Sequence, residues 1–305
     1  MAAPHILDER TARDIDAVVS KLLRDLGNPG PPVQLDLIRE VLALDRKYYS
    51  SSDTSLLEET IHRIRVGAKQ AIQRPGLLLD IIRHRKLSAL WVPDRRRILI
   101  DAELPTVKHR WTEAHEIGHS LIPWHAEMAH GDNELTLSLA CEQQIEAEAN
   151  FAASRLLFLQ DSFRERLLSG DVTFGRVRAL SREFGNTMTS TLWRTVETMP
   201  GSAFGMVSRH PRERYGSPPG EWIQHFIPSN LFLERFPSVS AEQIFRALGT
   251  FCRRGKGPIG QDEIVLIDAL GQPHEFFVES FYNGHQALTL GLHRRVHIPI
   301  VVVPR

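Results

Sequence analysis

Residues His115-Glu116-Ile117-Gly118-His119 have the spacing H-E-x-x-H. Positions i and i+4 share one face of an α-helix, so both imidazoles can reach a single ion while Glu116 projects beside them. The chemistry this suits is metal-assisted hydrolysis. A bound Zn²⁺ lowers the pKa of water to about 7, and the glutamate can take up the proton as hydroxide attacks a carbonyl. A random H-E-x-x-H turns up in roughly one such chain in twenty, so the motif needs support from a third protein ligand, which catalytic zinc ordinarily has. Histidines crowd this region: five of the 14 in the chain, His109, His115, His119, His125 and His130, fall within 22 residues.

Two residues compete for the third position. His125 stands where H-E-x-x-H-x-x-G-x-x-H has its last histidine, but the glycine that lets the chain turn back is here Ile122, which is β-branched and poor at positive φ. A loop histidine, or one that hydrogen-bonds a ligand from behind, suits it better. Glu146 lies 27 residues after His119. Its helical neighbours Ala149, Asn150, Ala153 and Leu157 form a small, largely apolar face that could pack on the first helix. Glu142, one turn earlier on that face, remains possible, whereas Glu148 shares a face with Gln144 and Arg155 and reads as solvated. A carboxylate from a following helix would complete the His₂Glu set of many zinc peptidases.

The elements that must hold these residues can be read from periodicity. Residues 8–27 form an amphipathic helix closed by Gly27, and 33–45 a second helix after the NPGPP turn. LSALWVPD and RRRILIDAEL suggest a β-hairpin about Pro93-Asp94. Helix then runs from Trp111 to about Ile122, where Pro123 stops it, and a long helix covers about Leu139 to Leu159. Shorter helices near 173–184 and 188–199 flank Gly185-Asn186. RHPRERYGSPPG, at 209–220, is the best linker candidate. SAEQIFRALGTF has capping-box spacing at Ser240 and Gln243, and EIVLID, HEFFVESFY, HQALTLGL and VHIPIVVV read as strands. The expected fold is α+β: a mainly helical zinc-peptidase domain with a small β-hairpin at 1–160, a helix-turn-helix-like segment at 161–202, and an α+β domain with an antiparallel sheet at 203–305.

RWTEAHEIGHSL followed by QIEAEANFAASRLLFL resembles the ImmA/IrrE family of metallo-endopeptidases. The family's second segment, Glu-x-Glu-Ala-Asn-x-Phe-Ala-Ala-x-Leu-Leu-Met-Pro, aligns without gaps. The resemblance makes Glu146 the third metal ligand with His115 and His119, makes Glu116 the general base, and implies Zn²⁺ as cofactor. Among the departures from the pattern, Trp111 replaces phenylalanine, Glu113 an apolar residue, Ala152 phenylalanine and Leu159 proline. The likeness covers about residues 30–200, including VTFGRVRALSREFGNTMTSTLWRTV, which is similar to the family's helix-turn-helix-like segment except that Asn186 stands for valine. It implies a protein substrate, a helix-turn-helix repressor whose cleavage releases stress-response or mobile-element genes. The alternative is a DNA-binding or signal-sensing regulator with a structural or vestigial zinc site.

Composition restricts the remaining classes. Lys+Arg and Asp+Glu both total 37, so no net field draws the chain to nucleic acid or anionic membrane. The second helix of the helix-turn-helix-like segment carries only Arg194 as a base, too few for a phosphate-binding face. The basic stretches Arg83 to Lys86 and Arg95 to Arg97 fit solvated faces, and Arg253, Arg254 and Lys256 a basic loop whose GKG lacks P-loop spacing. Cys141 and Cys252 without C-x-x-C suggest a reducing compartment, and no segment has membrane-spanning length, so a cytoplasmic protein is expected. His125, His130 and Asn150 are further candidates for hydrogen-bonding a metal ligand or stabilising an oxyanion. Cys141 reads as a small core residue.

Overall fold

A computed structural model describes residues 7–49, 89–92, 96–125, 139–213 and 219–296. The fold is α+β and divides into two compact units: residues 1–162 with 184–186, and residues 163–183 with 187–305. Among the described residues, no helix is long and apolar enough to cross a membrane. His130, Pro93-Asp94, the Arg83 to Lys86 stretch and VHIPIVVV beyond Val296 lie outside the described residues, as do the side chains of Cys141 and Glu142.

The first unit begins with α1 (Glu9–Asp25), capped by Asp8, whose carboxylate accepts the backbone N–H groups of Arg10 and Thr11. Gly27 follows at φ +76°, a left-handed exit that glycine takes without a Cβ clash. The helix buries Ile15, Val19, Leu22 and Leu23, each contributing about 1.5–3 kcal/mol relative to exposure. A short α2 (Leu35–Val41), which ends before the expected Asp45, leads to β1 (Asp45–Tyr49), a strand that the sequence does not announce. β2 (Ala89–Val92) and β3 (Arg97–Asp101) form the expected antiparallel hairpin. β1 joins β3 in parallel, giving the order β1-β3-β2. Ile98, Leu99 and Ile100 of the central strand are buried.

Two helices carry the motif residues: α3 (Thr106–Leu121) and α4 (Leu139–Leu157). They approach closely because the residues between them are small. A Cβ added at Gly118 would lie 2.7 Å from the Ala149 carbonyl oxygen and 3.3 Å from the Ala152 Cβ. Ala152, where the family pattern has phenylalanine, is one of these small residues. Leu159 has a structural reason: its φ is +51°, which proline, locked near −65°, cannot adopt. α1 is fastened to α4 by the Arg155–Asp16 ion pair and to Gln160 by the Ser20 hydroxyl (2.8 Å).

Glu113 is buried at 4% exposure, although the family pattern is apolar there. Arg39 of α2 donates Nε to it at 2.6 Å and Arg46 of β1 donates Nη1 at 2.7 Å. One carboxylate therefore ties α2 and β1 to α3. Glu113→Ala would leave Arg39 and Arg46 only the exposed Asp36 as an anionic partner, and about 3 kcal/mol should be lost, the lower end for a broken buried pair because both arginines keep Asp36 and some water contact. Urea unfolding would read this as a lower midpoint, and a loss below about 1 kcal/mol would show that the cluster is surface-like.

In the second unit, α5 (Asp161–Leu168), α6 (Phe174–Glu183) and α7 (Met188–Thr198) precede β4 (Ala203–Ser208). β5 (Ile223–Pro228), α8 (Asn230–Arg235) and α9 (Ala241–Phe251) follow. β6 (Gly257–Ile267), β7 (Pro273–Tyr282) and β8 (Ala287–Val296) complete it. The strands form one antiparallel sheet in the order β5-β4-β8-β7-β6. Ser240 and Gln243 make the anticipated capping box at α9. The segment 209–220 is not a linker between domains: it connects β4 to β5, which are hydrogen-bonded neighbours.

All six residues of β4 are buried because the sheet is covered on both faces. Phe204 and Met206 point into a core with Phe232, Phe236, Phe245 and Phe276. Ala203 and Val207, on the opposite face, meet Phe174, Val177, Leu192 and Val196 of α6 and α7. The helix-turn-helix-like pair thus supplies one face of the second core. Arg194, its one base on the second helix, is buried at 7% exposure and lies 3.5 Å from Glu197.

At the β6–β7 turn, Asp268 accepts the backbone N–H groups of Gln272 (2.8 Å) and Leu270 (2.9 Å) and pairs with His274 Nε2 at 2.9 Å. The Gln272 amide, helped by His274 and Leu270 and opposed by burial, holds its carboxyl below the usual aspartate range. A carboxyl depressed on folding stabilises the native state above its unfolded pKa, and that contribution fades as pH falls through the folded value. Wild type should therefore lose more stability than Asp268→Asn between about pH 5 and pH 3. Parallel acid-dependent melts would show equal losses if the group were inert.

Candidate metal centre

α3 and α4 bring His115, His119 and Glu146 together, one ligand atom from each lying within 4.8 Å of the others, a group that could hold a metal ion. His115 Nε2 and His119 Nε2 are 3.1 Å apart. Glu146 Oε2 is 3.2 Å from the former, and its Oε1 is 3.5 Å from the latter. A tetrahedral site with bonds of about 2.0–2.1 Å has ligand–ligand edges of about 3.3–3.4 Å. The observed separations bracket that value, so the residues fit a small divalent ion.

Proton placement agrees. Asn150, one turn beyond Glu146, presents Oδ1 to His115 Nδ1 at 3.1 Å. An amide oxygen only accepts, so Nδ1 carries the ring proton of neutral His115 and its Nε2 lone pair faces the cluster. Two imidazole nitrogens and a carboxylate pointed at one another repel unless a positive charge lies among them.

The proton affinities of the cluster reflect that field. Burial lowers the proton affinity of His115, but its hydrogen bond to Glu146 and the fields of Glu116 and Glu146 more than reverse this, raising its pKa. For His119 burial wins, aided by the neighbouring His115 and His125, and the pKa falls. The Glu146 carboxyl is held far below the usual range, chiefly by hydrogen bonds to His115 and His119. Of the two imidazoles, His115 is thus the one that holds a proton more readily.

The other candidates fall elsewhere. His109 donates Nε2–H to the Leu104 carbonyl at 2.6 Å, away from the cluster. His125 approaches His119 from behind, Nδ1 to Nδ1 at 3.0 Å. Ile122 is extended, with φ −90° and ψ 108°, as expected where no glycine permits a sharp return. Glu116 is buried at 6% exposure.

Glu148 corrects the sequence reading. It is 3% exposed, not solvated, and its carboxylate accepts hydrogen bonds from Trp124 Nε1 (2.6 Å), His125 Nε2 (2.9 Å) and Gln144 Nε2 (2.9 Å). Burial pushes its pKa up, but the bonds to His125, Trp124 and Gln144 outweigh it and the pKa is lowered. The helical face shared with Gln144 is correct. The missed signal is Trp124-His125, two N–H donors that need a buried acceptor once Pro123 has ended the helix.

Residues 62–194 match the family model described as the IrrE N-terminal-like domain, Peptidase_M78. This stretch includes both site helices, and the match agrees with the ImmA/IrrE family to which the motif resemblance points. No curated protein matches the chain significantly. A solved structure of a Mycobacterium tuberculosis transcriptional regulator is similar at TM-score 0.50 and 12% identity, covering 94% of this chain and 78% of that one. At that identity the likeness concerns the fold.

Proposed function

We propose that the chain is a zinc-dependent endopeptidase whose substrate is a helix-turn-helix transcriptional repressor. The observation that carries this reading is the convergence of His115 Nε2, His119 Nε2 and the Glu146 carboxylate within 4.8 Å. His115, His119 and Glu146 would hold the ion, which supplies Lewis acidity that polarises the scissile carbonyl and acidifies water. Glu116, next to His115 on α3, takes the proton from the attacking water and returns it to the departing amine. The repressor as substrate follows from the family resemblance and from the chain's zero net charge. The competing reading, a regulator that grips DNA through the helix-turn-helix-like pair, is weakened by the burial of Arg194.

The test is to incubate the zinc-loaded protein and its Glu116→Gln variant with candidate repressors. Cleavage by wild type alone is expected, and equal cleavage by both proteins would sink the assignment of Glu116. Stoichiometric duplex binding that weakens steeply with salt, without proteolysis of any partner, would favour the regulator.

A further inference from the structure

The geometry points to Glu148 as a positioning residue that, through His125, locks His119 in the tautomer a metal ion requires. This rests on His119 being a metal ligand, as proposed above. Each link has a direction. When the Nε2 lone pair of His119 goes to a cation, the single proton of the neutral ring must sit on Nδ1. That nitrogen faces His125 Nδ1 at 3.0 Å, which must then accept with its lone pair. Neutral His125 therefore carries its proton on Nε2, directed at Glu148 Oε2, 2.9 Å away.

The chain ends where a proton cannot be handed back. Trp124 Nε1 only donates, and it occupies the same Glu148 oxygen at 2.6 Å. The Gln144 amide takes the other oxygen at 2.9 Å. Glu148 thus meets three donors, and its carboxylate serves as acceptor in every one. The side chains of His125 and Glu148 are 1% and 3% exposed, so water does not compete for these bonds. The relay also fixes the plane of the His119 ring, since Nδ1 is anchored behind while Nε2 points forward.

Asn150 performs the corresponding service for His115 through Oδ1 at 3.1 Å. The two ligands are therefore oriented from different sides: one by a residue on α4, the other by α4 acting through the segment after α3. The Glu-x-Glu of α4 divides its work, with Glu146 facing the ion and Glu148 facing away from it to hold the scaffold.

The experiment measures zinc affinity of the full-length protein by chelator competition for wild type, His125→Gln and His125→Leu, with metal-free melts alongside. Glutamine can accept from His119 through its carbonyl and donate to Glu148 through its amide, so His125→Gln should stay within about threefold of wild type, whereas His125→Leu should weaken zinc by about 10–100-fold. A purely structural role would lower the melting temperature of both variants without separating their affinities. Imidazole ¹⁵N NMR of zinc-loaded wild type supplies the second measurement: His119 should carry its proton on Nδ1 and His125 on Nε2. Wild-type affinity in a folded His125→Leu protein, or a His125 protonated on Nδ1 alone, would overturn the relay. Should His125→Leu fail to fold, the NMR assignment decides. Glu146→Ala separates the two readings. Zinc binding unaffected by that change removes the metal centre itself, while zinc lost there but unchanged in His125→Leu removes only the relay.

Discussion

Glu146→Ala is expected to abolish tight zinc binding while leaving the metal-free fold intact. The side chain is 53% exposed, so its removal opens no cavity, and the metal-free protein loses only the bonds from His115 and His119, at about 0.5–1.5 kcal/mol each. Its loss nevertheless removes the one anionic ligand. Two neutral imidazoles remain, and affinity should fall by more than the roughly 10–100-fold typical of losing an outer hydrogen-bond partner. The contrast with Glu116→Gln is informative because that variant should keep zinc and lose turnover by a factor on the order of 10²–10⁴, the usual worth of general acid–base catalysis. Chelator competition and peptide hydrolysis on both variants separate holding the ion from moving the proton. If Glu146→Ala retained one tightly bound zinc, the centre formed by His115, His119 and Glu146 would be ruled out.

The second large effect concerns Gly118. In an isolated helix alanine is favoured over glycine by about 0.8–1.0 kcal/mol. Here the added Cβ would sit 2.7 Å from the Ala149 carbonyl oxygen and 3.3 Å from the Ala152 Cβ. Neither neighbour can swing aside, because one is helix backbone and the other is attached directly to it. Overpacking of this kind costs about 1–3 kcal/mol, so the clash outweighs the propensity gain and Gly118→Ala should be net destabilising. The clash is relieved by parting α3 from α4, which carry the histidines and Glu146 respectively. Zinc affinity should therefore fall as well, by about tenfold if realignment costs the ion about 1.4 kcal/mol. Urea unfolding and chelator competition on the same preparation would check both effects. A Gly118→Ala protein equal to wild type in both would mean that the helices tolerate a wider crossing.

The sequence by itself determined whatever depends on neighbours along the chain. His115 and His119 share a helical face because i and i+4 always do, and their helix ends before Pro123 for the reason stated from sequence. The Ser240–Gln243 capping box, the Asp8-capped first helix and the β2–β3 hairpin are likewise local. What only the tertiary structure decided is which distant groups meet. β1 was illegible because DRKYY has no clean apolar alternation and finds its partner in parallel across some 50 residues, from Asp45 to Arg97. Glu113 looks misplaced in a helix face until Arg39 and Arg46 arrive from other elements. On α4, Glu146 and Glu148 differ by two positions, about 200° around a helix, so periodicity turns Glu146 toward the first helix and leaves Glu148 reading as solvated. Their fates separate because α3 crosses α4 at Gly118 and turns Trp124 and His125 over one of them. That crossing is set by side-chain volume and burial between helices, which no periodicity within either helix encodes.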